Sequence, residues 1–259
     1  VIDIGVNLTS SQFSADRDDV VQRGKEAGVS AMILTGTDIE SSTEAQALAA
    51  LYPGYCFSTA GVHPHDAKTI DDLSLPQIRE LAASPQVVAI GECGLDFNRD
   101  FSPRPQQEAV FEAQLSLAVE LDMPVFLHCR DAHARFSDIF RKYQDKLAGA
   151  VLHCFTGDKD ALTDCLDMGM SIGITGWVCD ERRGADLQKL VAYIPADRLM
   201  IETDAPYLIP RDLKPKPKSR RNEPCHLPHI AARVAVCRGD DYEDLITVTT
   251  QNSRRFFNI

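Results

Sequence analysis

The chain has 259 residues, of which 44% are hydrophobic and 25% charged, and a formal net charge of −11. This composition is enough for one sizeable core and excludes a disordered chain, while the acidic balance excludes a protein that coats nucleic acid through a broad basic surface. The eight scattered cysteines form no C-x-x-C pair, no apolar run nears the roughly 18–20 residues of a membrane span, and no basic leader followed by an apolar stretch opens the chain; a cytoplasmic, thiol-reduced protein without membrane association is expected.

Short apolar runs alternate with longer amphipathic ones along nearly the whole chain, the pattern of a parallel sheet covered by helices. Strands are predicted at IDIGVN (2–7), AMILTG (31–36), FSTAGV (57–62), VVAIGE (87–92), PVFLHC (124–129), AVLHCF (150–155), SIGITG (171–176) and LMIETD (199–204). Between the fourth and fifth, a proline-bearing loop at 102–105 precedes a helix over 106–121, whose Val110, Phe111, Leu115, Ala118 and Leu121 share one face; Pro124 then ends it. After the eighth strand, residues 210–228 hold five prolines and six cationic side chains, so an irregular excursion is expected there, followed by two or three short helices to Ile259. Eight β-α units imply a TIM-like (β/α)8 barrel of α/β class, one domain over 1–259, with the C-terminal helices closing it. A doubly wound open sheet would share the alternation, but no G-x-G-x-x-G follows the first strand.

Residues able to do chemistry recur at the carboxyl ends of these strands, which form the functional face of such a barrel: His63, Glu92, His128, His153 and Asp204. A single strand-end histidine is more often a hydrogen-bonded core residue, and a single Asp after a strand commonly caps the next helix. Recurrence at matching places in separate units favours a divalent metal, because two imidazoles and two carboxylates buried together would otherwise leave charge unpaired. Glu92, His128, His153 and Asp204 are the expected metal ligands. His133 and His229 on helices, and His65 and His226 in loops, default to surface or capping roles.

The stretches VVAIGECGLDF (87–97), PVFLHCRDA (124–132) and LMIETDAPYLIP (199–210) with RRNEP (220–224) resemble the motifs of TatD-type metal-dependent deoxyribonucleases of the amidohydrolase superfamily. AGVHPHDA (60–67), HCFTG (153–157) and GITGWVCDERRG (173–184) extend the likeness over essentially the whole chain and bring it nearest to the family's bacterial branch. The resemblance implies a metal-dependent nuclease, with 3′-to-5′ exonuclease action on single-stranded DNA or RNA and a role in DNA repair or nucleic-acid turnover. It also implies Glu92 as a bridging carboxylate, His128 and His153 as imidazole ligands, Asp204 as the strand-8 aspartate, and His63 as a contact to the scissile phosphate or leaving oxygen. Where the family carries D-x-H-x-H on the first strand, this chain reads Asp3-Ile4-Gly5-Val6-Asn7. Alternation would turn Asp3, Gly5 and Asn7 inward, so Asp3 or Asn7 is expected to offer an oxygen and Gly5 nothing. One or two ions fit this set, and the loss of nitrogen donors tilts the expectation to magnesium, with manganese or zinc as alternatives.

Residues 211–221 carry six Lys or Arg against one Asp, a local +5 in an acidic chain, and leave the barrel on its metal face. Phosphate would be drawn to that rim; a merely solvated loop is the plainer alternative. Arg130 and Arg221 are the expected substrate-binding residues, since an arginine near a metal ligand can grip phosphate bidentately. Asp204 is the expected base, and Asp204 and His63 the expected catalytic pair. The alternative function is an amidohydrolase-type hydrolase of a small ester, amide or phosphotriester, which would not need the basic excursion; an inactive scaffold is a third. No coiled-coil seam is present, so a monomer is the default.

Overall fold

The computed structural model describes residues 1–259. Eight parallel strands follow one another in chain order around a barrel: β1 (Ile2–Val6), β2 (Ala31–Leu34), β3 (Cys56–Ala60), β4 (Val87–Asp96), β5 (Val125–Arg130), β6 (Ala150–Leu152), β7 (Ser171–Ile174) and β8 (Leu199–Ile201). Helices α1 (Arg17–Glu26), α2 (Ile39–Leu51), α3 (Ser74–Ala82), α4 (Arg104–Glu120), α5 (His133–Phe140), α6 (Lys159–Asp167) and α7 (Ala185–Leu190) form the outer layer between successive strands. The expected TIM-like barrel is thus the observed fold. No helix is long and apolar enough to cross a membrane.

The seam between β8 and β1 is short. Val6 bridges Ala205, Asn7 N–H donates to the Ala205 carbonyl (2.7 Å) and Asp204 N–H to that of Gly5 (2.9 Å). Asp3 completes the closure with its side chain, accepting from Thr203 N–H (2.9 Å) and Thr203 Oγ1 (2.6 Å) in a fully buried position. The expectation that Asp3 could offer the mouth an oxygen is therefore corrected. A bulge between Asp3 and Val6 interrupts strict alternation, so Asn7 reaches the mouth while Asp3 stays in the seam.

Apolar faces decide the layers. Strands read as almost uninterrupted buried runs because both faces are covered. One buried cluster, including Ile2, Ile4, Ile33, Ala89, Phe126, Val151 and Met200, lies among the barrel strands and takes in Phe257. That phenylalanine comes from the last of two C-terminal helices, α8 (Leu227–Arg238) and α9 (Tyr242–Phe257), so the expected closure by the tail is observed, with two helices as expected but longer than the short ones predicted. Helix α4 begins at Arg104, two residues ahead of the expected start, because Pro105 sits in its first turn, where a missing N–H costs nothing. The excursion after β8 contains neither helix nor strand until a short turn of 3-10 helix at Pro224–His226. All eight cysteines are free thiols.

Candidate metal centre

The mouth of the barrel holds a cleft of about 880 Å³ whose walls include Asn7, His63, Glu92, His128, His153 and Asp204. Its centre is one oxygen. Glu92 Oε1 lies 2.7 Å from His153 Nε2, 3.0 Å from His128 Nδ1 and 3.4 Å from His63 Nε2. Donor atoms of His63, Glu92 and His128 all fall within 4.8 Å of one another. Strand geometry explains the convergence: β4 carries Glu92, β5 carries His128, His153 directly follows β6, and His63 lies three residues past the end of β3.

Each imidazole is turned by a different neighbour. His153 faces Glu202 Oε2 with Nδ1 (3.3 Å) and donates from Nε2 to Glu92, the proton on Nε2 being the one a cation would displace. His128 faces Asp96 Oδ2 with Nε2 (3.3 Å), leaving Nδ1 towards Glu92. His63 is the reverse case, because its Nδ1 accepts the backbone N–H of His65 (3.1 Å), so in the neutral ring the proton sits on Nε2. Without a cation His153 Nε2 and His128 Nδ1 donate to Glu92 Oε1, and these are the nitrogens whose lone pairs a cation would take up in place of the protons; His63 presents a donor in either case.

Asp96 and Glu202 were not singled out in the sequence, and both are buried carboxylates behind the imidazoles. Asp96 was missed because β4 runs to residue 96 instead of stopping at 92. The extension needs Gly94, whose φ is +147° and where a β-carbon would collide with the His128 carbonyl of the adjoining strand. Glu202 lies in a gap made by glycines: a β-carbon at Gly5 would collide with its Oε2, and one at Gly173 with its Oε1. The chain thus fills with a carboxylate the space that a side chain on the first strand would occupy. His65, expected in a surface role, lines the cleft and meets Asp96 Oδ2 at 2.8 Å.

The electrostatics call for positive charge. Burial raises the Glu92 carboxyl, but the surrounding imidazoles of His153, His63 and His128 outweigh it and hold it well below its ordinary range. Burial lowers His153, yet Glu92 and Glu202 push it well above the usual imidazole value; His128 is likewise raised by Asp96 and Glu92 against its burial. His63 goes the other way, down to about 3, through burial. Burial drives Asp204 up to about 7, His153 opposing and Glu92 and Glu202 assisting. An ionised buried carboxylate ringed by imidazoles that a cation would deprotonate, with outer carboxylates fixing the rings, is a donor set that fits a divalent cation.

Asp204 caps no helix. Its backbone is left-handed (φ 55°), and Oδ1 accepts from Asn7 Nδ2 at 2.9 Å. Arg130 lines the same cleft at the end of β5.

Arg221 is not brought there. Its guanidinium donates to Asp16 Oδ1 and Oδ2 and to Glu223 Oε1, each at 2.7 Å, and to the Gln12 carbonyl, so its donors are used within the fold. Arg221, with Arg23 assisting against burial, lowers Asp16 to about 2. A carboxyl with a depressed folded value stabilises the fold above its unfolded range and loses that contribution as pH falls through the folded value. Asp16→Asn is expected to cost about 1 kcal/mol at neutral pH, discounted for partial exposure. The difference from the parent should shrink between about pH 4 and pH 2, which urea denaturation at a series of pH values would measure.

Glu202→Gln is a second expected change. Glutamine has one acceptor oxygen where Glu202 uses two, one for Cys154 N–H and one for His153 Nδ1–H. Loss of the second should let the His153 proton move to Nε2 and weaken binding of a divalent ion by about 10–100-fold. Calorimetric titration with Mn²⁺ and the ring-nitrogen shifts of His153 would report affinity and tautomer separately; unchanged affinity would remove the orienting role.

The family model described as "TatD related DNase" matches residues 2–258. A relative from Pantoea vagans, named 3′-5′ ssDNA/RNA exonuclease TatD, is 59% identical over 259 residues, covering 100% of both chains. One of the same name from Musicola paradisiaca is 60% identical, covering 100% of this chain and 98% of its own. Among solved structures, YJJV, a TatD homologue of Escherichia coli, superposes with a TM-score of 0.90 at 27% identity, covering 100% of this chain and 98% of that one.

Proposed function

This chain belongs to the TatD-related DNase family, and we propose that its barrel mouth removes nucleotides from the 3′ end of single-stranded DNA or RNA by divalent-metal-dependent hydrolysis. The observation that carries the reading is the convergence of His153 Nε2, His128 Nδ1 and His63 Nε2 on Glu92 Oε1. Glu92, His128 and His153 would hold the cation, with Asp204 beside them. A divalent ion there supplies a Lewis acid that polarises a phosphoryl oxygen and acidifies water.

The chain's own residues do the rest. Asp204, held by Asn7, orients the attacking water and takes its proton. His63, carrying its proton on Nε2, donates to the scissile phosphate or to the departing oxygen. Arg130 grips a phosphate oxygen at the rim. One ion is proposed rather than two, because Glu202 occupies the space beside Gly5. Magnesium is proposed as that ion, since Asp204, Glu92 and Asn7 offer oxygen and the first strand no imidazole.

A covalently closed single-stranded circle and its linear counterpart test the reading. The linear strand is expected to be degraded and the circle left intact, with chelation stopping degradation of the linear strand and Mg²⁺ restoring it. Degradation of the circle at an equal rate would exclude an exonuclease. Faster restoration by Zn²⁺ than by Mg²⁺ would reassign the metal.

A further inference from the structure

We propose that residues 211–221 form a binding track for the 5′ body of a single-stranded substrate, entered from the metal cleft across Trp177 and Tyr207; the proposal rests on the 3′-exonuclease reading. Trp177, Arg183, Tyr207 and Leu208 line the metal cleft and also a neighbouring groove of about 680 Å³, whose other walls include Arg211 and Arg220. The two therefore share a wall. Tyr207 is 52% exposed, and the Arg183 guanidinium lies 4.6 Å from the centre of the Trp177 ring, so aromatic and cationic faces meet at the passage. Such faces stack bases without regard to sequence.

The track is fixed at its ends and free between them. Asp212 is held by His229 Nε2 (2.7 Å) and Arg233 Nη2 (2.9 Å), and Arg211 pairs with Asp180 and Glu181. Although Cys179, Asp212 and His229 bring donor atoms within 4.8 Å of one another, Arg233 already supplies the positive charge there, so the group serves as an anchor. Arg221 fixes the other end through Asp16 and Glu223. Lys214, Lys216, Lys218 and Arg220 lie exposed between the anchors and enter no ion pair. Pro215 and Pro217 withhold backbone N–H groups and keep this stretch out of helix and sheet.

Direction follows from the two sides of the cleft. Beyond His65, the exposed ring of Phe101 packs edge-on at 4.7 Å and makes a shelf for one terminal base. On the other side, across the shared wall, lies the second groove, which Arg220 lines; Lys214, Lys216 and Lys218 precede it on the same exposed segment. In a chain of net charge −11 these cations are the local attraction for phosphate beside an acidic centre.

The test uses the Lys214→Gln, Lys216→Gln, Lys218→Gln, Arg220→Gln combination. Binding is measured by fluorescence anisotropy in an Asp204→Asn background, with DNA probes of about three and about twelve nucleotides that share one 3′ sequence. The longer probe is expected to bind at least about tenfold more weakly to the variant, with a salt dependence shallower by up to about 3 in log–log slope. Binding of the short probe, and its turnover in the Asp204 parent, should not change. Equal loss for both probes, no loss for either, or a loss that follows 3′ extension would overturn the track. If the unmodified protein cleaves no single strand at all, the exonuclease reading falls, while the anisotropy series still decides whether the track binds.

Discussion

Glu92→Gln is expected to lower hydrolysis by about 10²–10³-fold or more and to remove high-affinity divalent-ion binding, without loss of the fold. The substitution is nearly isosteric, so packing at the end of the barrel is kept. What disappears is the negative charge on which three imidazoles converge at 2.7, 3.0 and 3.4 Å. An amide in place of the carboxylate supplies no charge to hold a cation, and its nitrogen would turn donors towards the imidazole nitrogens. Circular dichroism, Mn²⁺ calorimetry and steady-state turnover on one preparation separate the effects. Retained affinity with lost turnover would move Glu92 from metal holder to some other role.

Asp204→Asn has the second large effect, an expected loss of about 10²–10⁴-fold in turnover with substrate binding preserved. Asparagine keeps an oxygen for the hydrogen bond from Asn7, so the local backbone has no reason to move. It cannot accept a proton from water. The burial that pushes Asp204 up to about 7 makes it a better proton acceptor than an exposed aspartate. Single-turnover kinetics with a labelled strand would measure the chemical step directly. Turnover within a few-fold of the parent would take the base role away from this residue.

Much of the fold was legible in the sequence because each strand is buried on both faces and each helix on one. The eight apolar runs could be numbered before any contact was known. Their ends were less legible. Strands β6 and β8 stop at Leu152 and Ile201, short of the expected ends, while β4 continues to Asp96. Chain ends of strands are set by where pairing stops, and pairing is a property of the neighbour.

The same reason explains the site. His63, Glu92, His128, His153 and Asp204 could be named from their places after apolar runs, but Asp96 and Glu202 could not, although a period-two signal was available. Glu92, Gly94 and Asp96 share strand parity, as do Glu202 and Asp204. Asp3 went astray because a bulge shifts the register of β1, which composition does not reveal. Arg221 drew attention as a cation beside the mouth; its partners Asp16 and Glu223 lie far from or beside it in sequence, and only the fold joins all three.

The most direct measurement of the central claim is an anomalous difference map from crystals soaked in Mn²⁺. The expected result is one peak within bonding distance of Glu92, His128 and His153, with Asp204 in its shell. No peak there, or a peak confined to Cys179, Asp212 and His229, would contradict a metal-dependent centre at the barrel mouth.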